Sequence, residues 1–252
     1  LDPERSAKYF QELMSKLEAD GVTLAGLELE NEINMAGNDP DFRLPGEGRV
    51  LGLADLSHDP EGQQVAKGYL QYLKVLEVLK QVRDRSQLNR HTPLLPTSLV
   101  DIEQEGPWPT PKPYDGVSVG AIMTFFRAHG LDQLVDGYNL HTYPWADHPG
   151  DKASAIHRMQ RLRALVEPIC IPGRKPCWIT EWGFAYASKA CPASEEGDHA
   201  RLVQEMMGDF AQLAKEGRLG GLIYYSWTGD SQFDLERCGG LGEAGKRGLS
   251  PF

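Results

Sequence analysis

The stretch "LELENEINM", residues 27–35, sets Glu28, Glu30 and Glu32 on alternate positions with leucines between them. A further acid, Glu181, stands in "ITEWGF", among apolar and aromatic residues. The chain also offers "NLHTYP", with His141 and Tyr143, and "YYSW", with Tyr225 and Trp227. Two carboxylates in an aromatic cleft can divide one reaction between them. One, protonated, gives its proton to a leaving oxygen; the other, ionised, attacks or stabilises an electron-poor carbon. A tyrosine hydroxyl donating to the ionised partner keeps its pKa low. Aromatic faces cover the C–H surfaces of a sugar and exclude water. That division of labour suits hydrolysis of a glycosidic bond.

These residues need a scaffold that brings distant segments together. Apolar spacing and end signals predict helices over 1–21, opened by Asp2 and Pro3, and over 60–86, opened by Asp59 and Pro60. Further helices are expected over 117–130, 152–167 and 194–216, the last with Ser194 as its cap. Strands are expected over 22–30, 92–100, 135–144, 175–184 and 219–227. Residues 35–59, the Pro-rich stretch 101–116 and the tail from Thr228 read as loops. Strands alternating with helices require parallel strands and crossover connections, hence an α/β sheet. No Gly-rich phosphate turn follows a strand, which disfavours an open nucleotide-binding sheet. The polar and aromatic residues instead gather at the C-terminal strand ends, where a (β/α)8 TIM barrel keeps its site. Strand alternation would turn Glu28, Glu30 and Glu32 toward the barrel axis and Leu27 and Leu29 toward the helices.

The composition fits a folded chain read as one domain over residues 1–252, with 40% hydrophobic and 25% charged residues. A formal net charge of -10 argues against a nucleic-acid partner. No apolar run has the length of a membrane span. Cys170, Cys177, Cys191 and Cys238 are compatible with two disulfides in an oxidising compartment, and equally with free thiols.

Four ordered motifs carry a resemblance. "LELENEIN" resembles the acid/base strand of clan A glycoside hydrolases, the fourth, which ends in Asn-Glu. "DGYNLHTYP" is similar to that clan's sixth strand, "ITEWGF" to its seventh, the nucleophile strand, and "YYSW" to its eighth. Within the clan the sequence is similar to family 39-like or uncharacterised bacterial glycosyl hydrolases. The resemblance implies a retaining hydrolase of carbohydrate that needs no cofactor or metal. Its acid/base would be Glu32 and its nucleophile Glu181. Asn31 would meet the sugar 2-hydroxyl, Tyr143 would bond Glu181, Trp227 would floor the subsite and His141 would line it. Tyr225 and Glu30 are the remaining candidates for substrate contact. The chain would begin at the third helix of such a barrel, giving about strands four to eight, without the first three βα units or the last helix. A secreted or periplasmic location follows from the substrate class and the cysteine count.

The sequence departs from the pattern at Ile33, where Pro is usual, and at Glu30, where an aromatic or Gly is common. Glu28 reads as a buried structural acid. Trp178 and Trp182 read as packing residues, and Met206, Met207 and Phe210 as the apolar stripe of a helix. Trp108 and Trp145 suit a sugar platform or scaffold packing equally, while Asp147 and His148 read as a solvated loop. Topology favours the cysteine pairs 170–177 and 191–238, since each pair falls on one face of the expected barrel. Two alternatives stand beside the hydrolase: a non-catalytic carbohydrate-binding protein on a degenerate barrel, and a metal-dependent barrel hydrolase. The absence of a His-x-His pair weakens the latter.

Overall fold

Asp2 and Pro3 open the first helix as their chemistry dictates. The Asp2 carboxylate accepts from the backbone N–H groups of Glu4 and Arg5 (2.9 and 3.3 Å), and Pro3 takes the position where a missing N–H costs nothing. The computed structural model describes residues 2–42, 48–144, 150–186, 190–229 and 232–246. The chain forms two compact units, residues 1–139 and 140–252.

In the first unit, α1 (Pro3–Ala19) precedes β1 (Leu27–Glu28), β2 (Arg49–Leu51), α2 (Asp55–His58) and α3 (Pro60–Arg85). Then come β3 (Leu94–Leu95), β4 (Leu99–Val100), β5 (Gly106–Pro107), β6 (Gly116–Val117), α4 (Val119–Ala128) and α5 (Leu131–Leu134). Strand β7 (Tyr138–Thr142) carries the chain into the second unit. Asp59 caps α3 by accepting from Glu61 and Gly62 N–H (3.0 and 3.1 Å). One stripe of α3 buries Val65, Tyr69, Tyr72, Leu76 and Leu79. The last turn of α3 holds Arg83, whose buried guanidinium donates to Thr92 O (2.7 Å) and the Asp136 carboxylate (2.6 Å). Asp136 also accepts from Leu94 N–H (2.9 Å), so this ion pair sets the start of β3.

Strand β1 pairs in parallel with β3, Leu27 opposite Leu94 and Glu28 opposite Leu95. A second sheet places β2 between antiparallel β5 and parallel β6. Here the expected loops over 35–59 and 101–116 are corrected. They contribute β2, α2, β5 and the first residue of β6, which pair across long sequence separations that no local periodicity announces. The helix expected over 117–130 is shorter. Val117 belongs to β6, Ser118 caps α4 by accepting from Ala121 N–H (3.2 Å), and Gly130, at φ 94°, separates α4 from α5.

The second unit contains α6 (Lys152–Val166), β8 (Cys177–Trp182), α7 (Ala193–Lys215) and β9 (Leu219–Tyr224). It ends in β10 (Glu236–Arg237), β11 (Gly240–Leu241) and α8 (Glu243–Lys246), so the tail expected to be loop holds an antiparallel hairpin and a helical turn. Strands β7, β8 and β9 lie side by side, and β8 and β9 are parallel. Trp178 sits over Gly221, where an added Cβ would fall 2.3 Å from the indole ring. Trp182, fully buried, packs edge-on against Phe210 of α7 at 4.8 Å between ring centroids. Helix α7 starts after Pro192, one residue earlier than expected, and no side chain caps it; Ser194 lies inside its first turn.

Both cysteine pairs form disulfides, Cys170–Cys177 and Cys191–Cys238, with Cα separations of 5.4 and 6.5 Å. The fold is therefore mixed α/β with parallel pairs β1–β3, β2–β6 and β8–β9. Among the described residues no sheet closes into a barrel, and no helix is long and apolar enough to cross a membrane.

Candidate functional site

Glu32 and its neighbours belong to the first unit, Glu181 and its neighbours to the second. Around Glu32 the expected strand ends early. Only Leu27 and Glu28 pair as strand, and Glu30 and Glu32 take left-handed backbone at φ 65° and 52°. The alternation expected through Glu32 is thereby corrected, because period-two side-chain placement needs extended backbone. Non-glycine residues at positive φ persist only where surroundings enforce them. Here the enforcing bonds come from far along the chain. Tyr72 donates to Leu29 O (3.3 Å) and Tyr69 to Ile33 O (3.2 Å). Glu32 N–H donates to Ser98 O (3.0 Å), and Ser98 Oγ donates to Asn31 Oδ1 (3.0 Å). Fully buried Asn34 donates to Val100 O and Val117 O (3.0 and 3.2 Å) and accepts from Val100 N–H (3.0 Å).

Each acid of this segment then has its own setting. Glu28, expected to be buried, is exposed; it accepts from Ser98 N–H (3.1 Å). The half-buried Glu32 accepts through Oε2 from the Asn38 amide (3.0 Å). Glu30 lines a cavity of about 510 Å³ together with Asn38, Asp39, Asp41, Lys67 and Tyr69. The Asp39 carboxyl in its wall is pushed up to about 6, first by burial and further by the charges of Asp41 and Glu30. Asn31 is exposed beside Glu32.

In the second unit Glu181 stands on β8, a full six-residue strand. Its Oε2 accepts a hydrogen bond from Tyr143 and lies 3.4 Å from Nδ1 of the buried His141. The other ring nitrogen of His141 meets Thr180 Oγ1 at 3.1 Å. Tyr143 joins an aromatic group with Tyr225 (6.2 Å between centroids) and Phe233 (5.1 Å). Gly183, just past Glu181, is required by close approach: a Cβ there would lie 2.4 Å from Tyr225 O. Trp227 is 56% exposed and donates to Glu236 (3.1 Å); no ring contact joins it to the Tyr143 group among the described residues. Trp182 is a packing residue, and Met206 and Phe210 belong to the buried stripe of α7. Trp108 packs on Tyr114 and donates to its carbonyl (2.7 Å), which places it on the scaffold. Trp145, Asp147 and His148 lie outside the described residues.

Sequence reasoning missed Asn38, Thr180 and Phe233. Thr180 neighbours Glu181 but has the opposite strand parity. Asn38 sits in a turn-rich stretch whose composition signals a bend and nothing more. Phe233 falls in a segment with no periodicity at all.

No protein-family model matches the sequence, and no curated protein sequence does. Solved structures match in fold. A fungal β-1,4-galactanase aligns at TM-score 0.51 and 12% identity over 92% of this chain and 62% of its own. A GH128 (subgroup II) endo-β-1,3-glucanase from Sorangium cellulosum aligns at TM-score 0.51 and 16% identity over 95% and 75%. A β-glucuronidase from Faecalibacterium prausnitzii aligns at TM-score 0.53 and 14% identity over 98% of this chain and 34% of its own. The chain thus spans less than two thirds of the galactanase and about one third of the glucuronidase. At these identities the likeness is one of fold, and the fold is one that glycoside hydrolases use.

Proposed function

We propose that the chain carries the two catalytic carboxylates of a retaining glycoside hydrolase acting on O-glycosidic bonds of an oligo- or polysaccharide, with Glu181 as nucleophile and Glu32 as acid/base. The observation that carries this reading is the setting of Glu181. A strand-borne carboxylate that accepts from Tyr143 and faces a buried histidine is held in place and aimed, as a nucleophile must be. The left-handed backbone at Glu30 and Glu32, enforced by Ser98, Asn34 and Tyr72, supports the assignment of Glu32, since such backbone clusters at functional sites.

In the first step Glu32 protonates the glycosidic oxygen as Glu181 attacks the anomeric carbon; the C–O bond breaks and a covalent glycosyl-enzyme forms. In the second, ionised Glu32 takes a proton from water, the water oxygen attacks the same carbon, and the Glu181 ester is released. This double displacement requires the two carboxyls to stand about 5–5.5 Å apart across the bound sugar. His141, Tyr225, Trp227, Asn31 and Glu30 are the proposed sugar contacts. The scaffold is read as strands four to eight of a TIM barrel. The two disulfides support an extracellular or periplasmic location.

The test is covalent trapping. A 2-deoxy-2-fluoro glycoside incubated with the full-length protein should leave one adduct, mapped by peptide mass to Glu181, and Glu181→Gln should abolish turnover while the protein stays folded. Labelling of another residue, or full activity in Glu181→Gln, overturns the assignment. Sugar binding without any hydrolysis would favour the non-catalytic binding protein instead.

A further inference from the structure

We infer that Asn38 is a positioning residue for Glu32: its side-chain amide holds one carboxyl oxygen and so fixes the orientation of the acid. The inference rests on the reading of Glu32 as the acid/base. The geometry is local and built by the backbone. Glu32 O accepts from Met35 N–H (3.1 Å), and Met35 O accepts from Asn38 N–H (3.0 Å) and Asp39 N–H (3.2 Å). These two linked turns bring the chain back on itself, so that residue 38 returns to residue 32. At the end of that return the Asn38 amide donates to Glu32 Oε2 at 3.0 Å. Glu32 N–H is bound to Ser98 O, so both ends of the contact are anchored.

The choice of residue type matters. An amide N–H needs a lone pair, so it opposes protonation of the oxygen it touches. Asparagine does not titrate, so it holds Glu32 without competing for the proton. A carboxylate at the same place would repel Glu32, and a lysine would hold it ionised. The two rotatable bonds of asparagine also make its amide cheap to order. An acid that must give its proton in one step and take one back in the next gains from keeping the same orientation for both.

A residue that serves only the acid step has a kinetic signature that general destabilisation lacks. Dinitrophenolate departs without protonation, whereas phenolate needs the acid. The experiment measures kcat/KM of the full-length protein on paired phenyl and 2,4-dinitrophenyl β-galactosides and β-glucosides for wild type, Asn38→Ala, Asn38→Asp and Glu32→Ala. Removing one hydrogen bond to a charged group predicts that Asn38→Ala loses roughly tenfold to a hundredfold on the phenyl glycoside and under about threefold on the dinitrophenyl glycoside. Asn38→Asp, which keeps the shape and the turn, should show the same selectivity, and Glu32→Ala a larger one. If Glu32→Ala is selective and neither Asn38 variant is, the inference is overturned and the assignment of Glu32 stands. If Glu32→Ala loses both substrates alike, the reading of Glu32 fails and the inference falls with it.

Discussion

The two carboxylates that the sequence singles out are held by opposite means. Glu181 sits on a six-residue parallel strand, between Ile179 and Trp182, which pair with β9 on either side of a shift in register, and its side chain is met by groups from the adjacent strand's end, Tyr143 and His141. Glu32 sits beyond a two-residue strand, on left-handed backbone, and its conformation is imposed by Tyr72, Ser98 and Asn34. A strand supplies direction through its own geometry. A strained turn has none of its own and depends on every bond that enforces it. The Glu181 side should therefore be sensitive in chemistry and tolerant in fold, and the Glu32 side the reverse.

The sharpest way to break that contrast is Asn34→Ala. It removes donors to Val100 O and Val117 O and leaves Val100 N–H without its acceptor in a buried place, a cost of about 3 kcal/mol. Denaturant melts should show this loss, and hydrogen exchange should speed up around residues 27–35 and 98–102. If the turn survives with unchanged stability, it is not held as argued. Tyr143→Phe is the counterpart on the other side. It deletes one charge-assisted bond to Glu181, about 1.5–3 kcal/mol, so kcat/KM should fall roughly tenfold to a hundredfold. Tyr143 is partly exposed, and thermal stability should hardly move. A stability loss matching the kinetic loss would erase the contrast.

The same contrast decides what could be read in advance. Strand parity and the helix caps at Asp2 and Asp59 follow from local spacing, so β7, β8 and β9 and the company of Glu181, His141 and Tyr143 were legible. The alternation of "LELENEIN" was legible too, yet it stops at Glu28, because the bonds that bend the chain come from residues 69–100. No rule of periodicity carries that information. Asn38 escaped for the same reason: its partner is set by two consecutive turns. Phe233 reaches Tyr143 through a tail that has no pattern to read. The disulfide pairing was accessible to topology because Cys170 and Cys177 lie before and at the start of β8, whereas Cys191 and Cys238 lie past the ends of β8 and β9.

The smallest effects concern pH, and the two units should respond with opposite sign. In the first, burial raises Asp39 from 3.8 to about 6. The folded state then holds its proton more tightly than the unfolded one, so this group's stability is full below pH 3.8 and is lost as pH rises through 6. In the second, burial lowers His199 from 6.5 to about 4; its Nε2 meets Phe184 O and the Tyr224 hydroxyl at 3.2 and 3.1 Å. Its stability is present above pH 6.5 and is lost as pH falls through 4. Asp39→Asn should accordingly melt higher than wild type at pH 7.5, by about 1 kcal/mol after allowance for solvent screening, and lose that advantage below pH 4. His199→Gln should gain on wild type as pH drops from 6.5 to 4, whatever its offset at neutral pH. Melting curves of both variants at pH 4 and 7.5 check the signs. Parallel responses would show that burial of these two groups does not set the pH dependence of either unit.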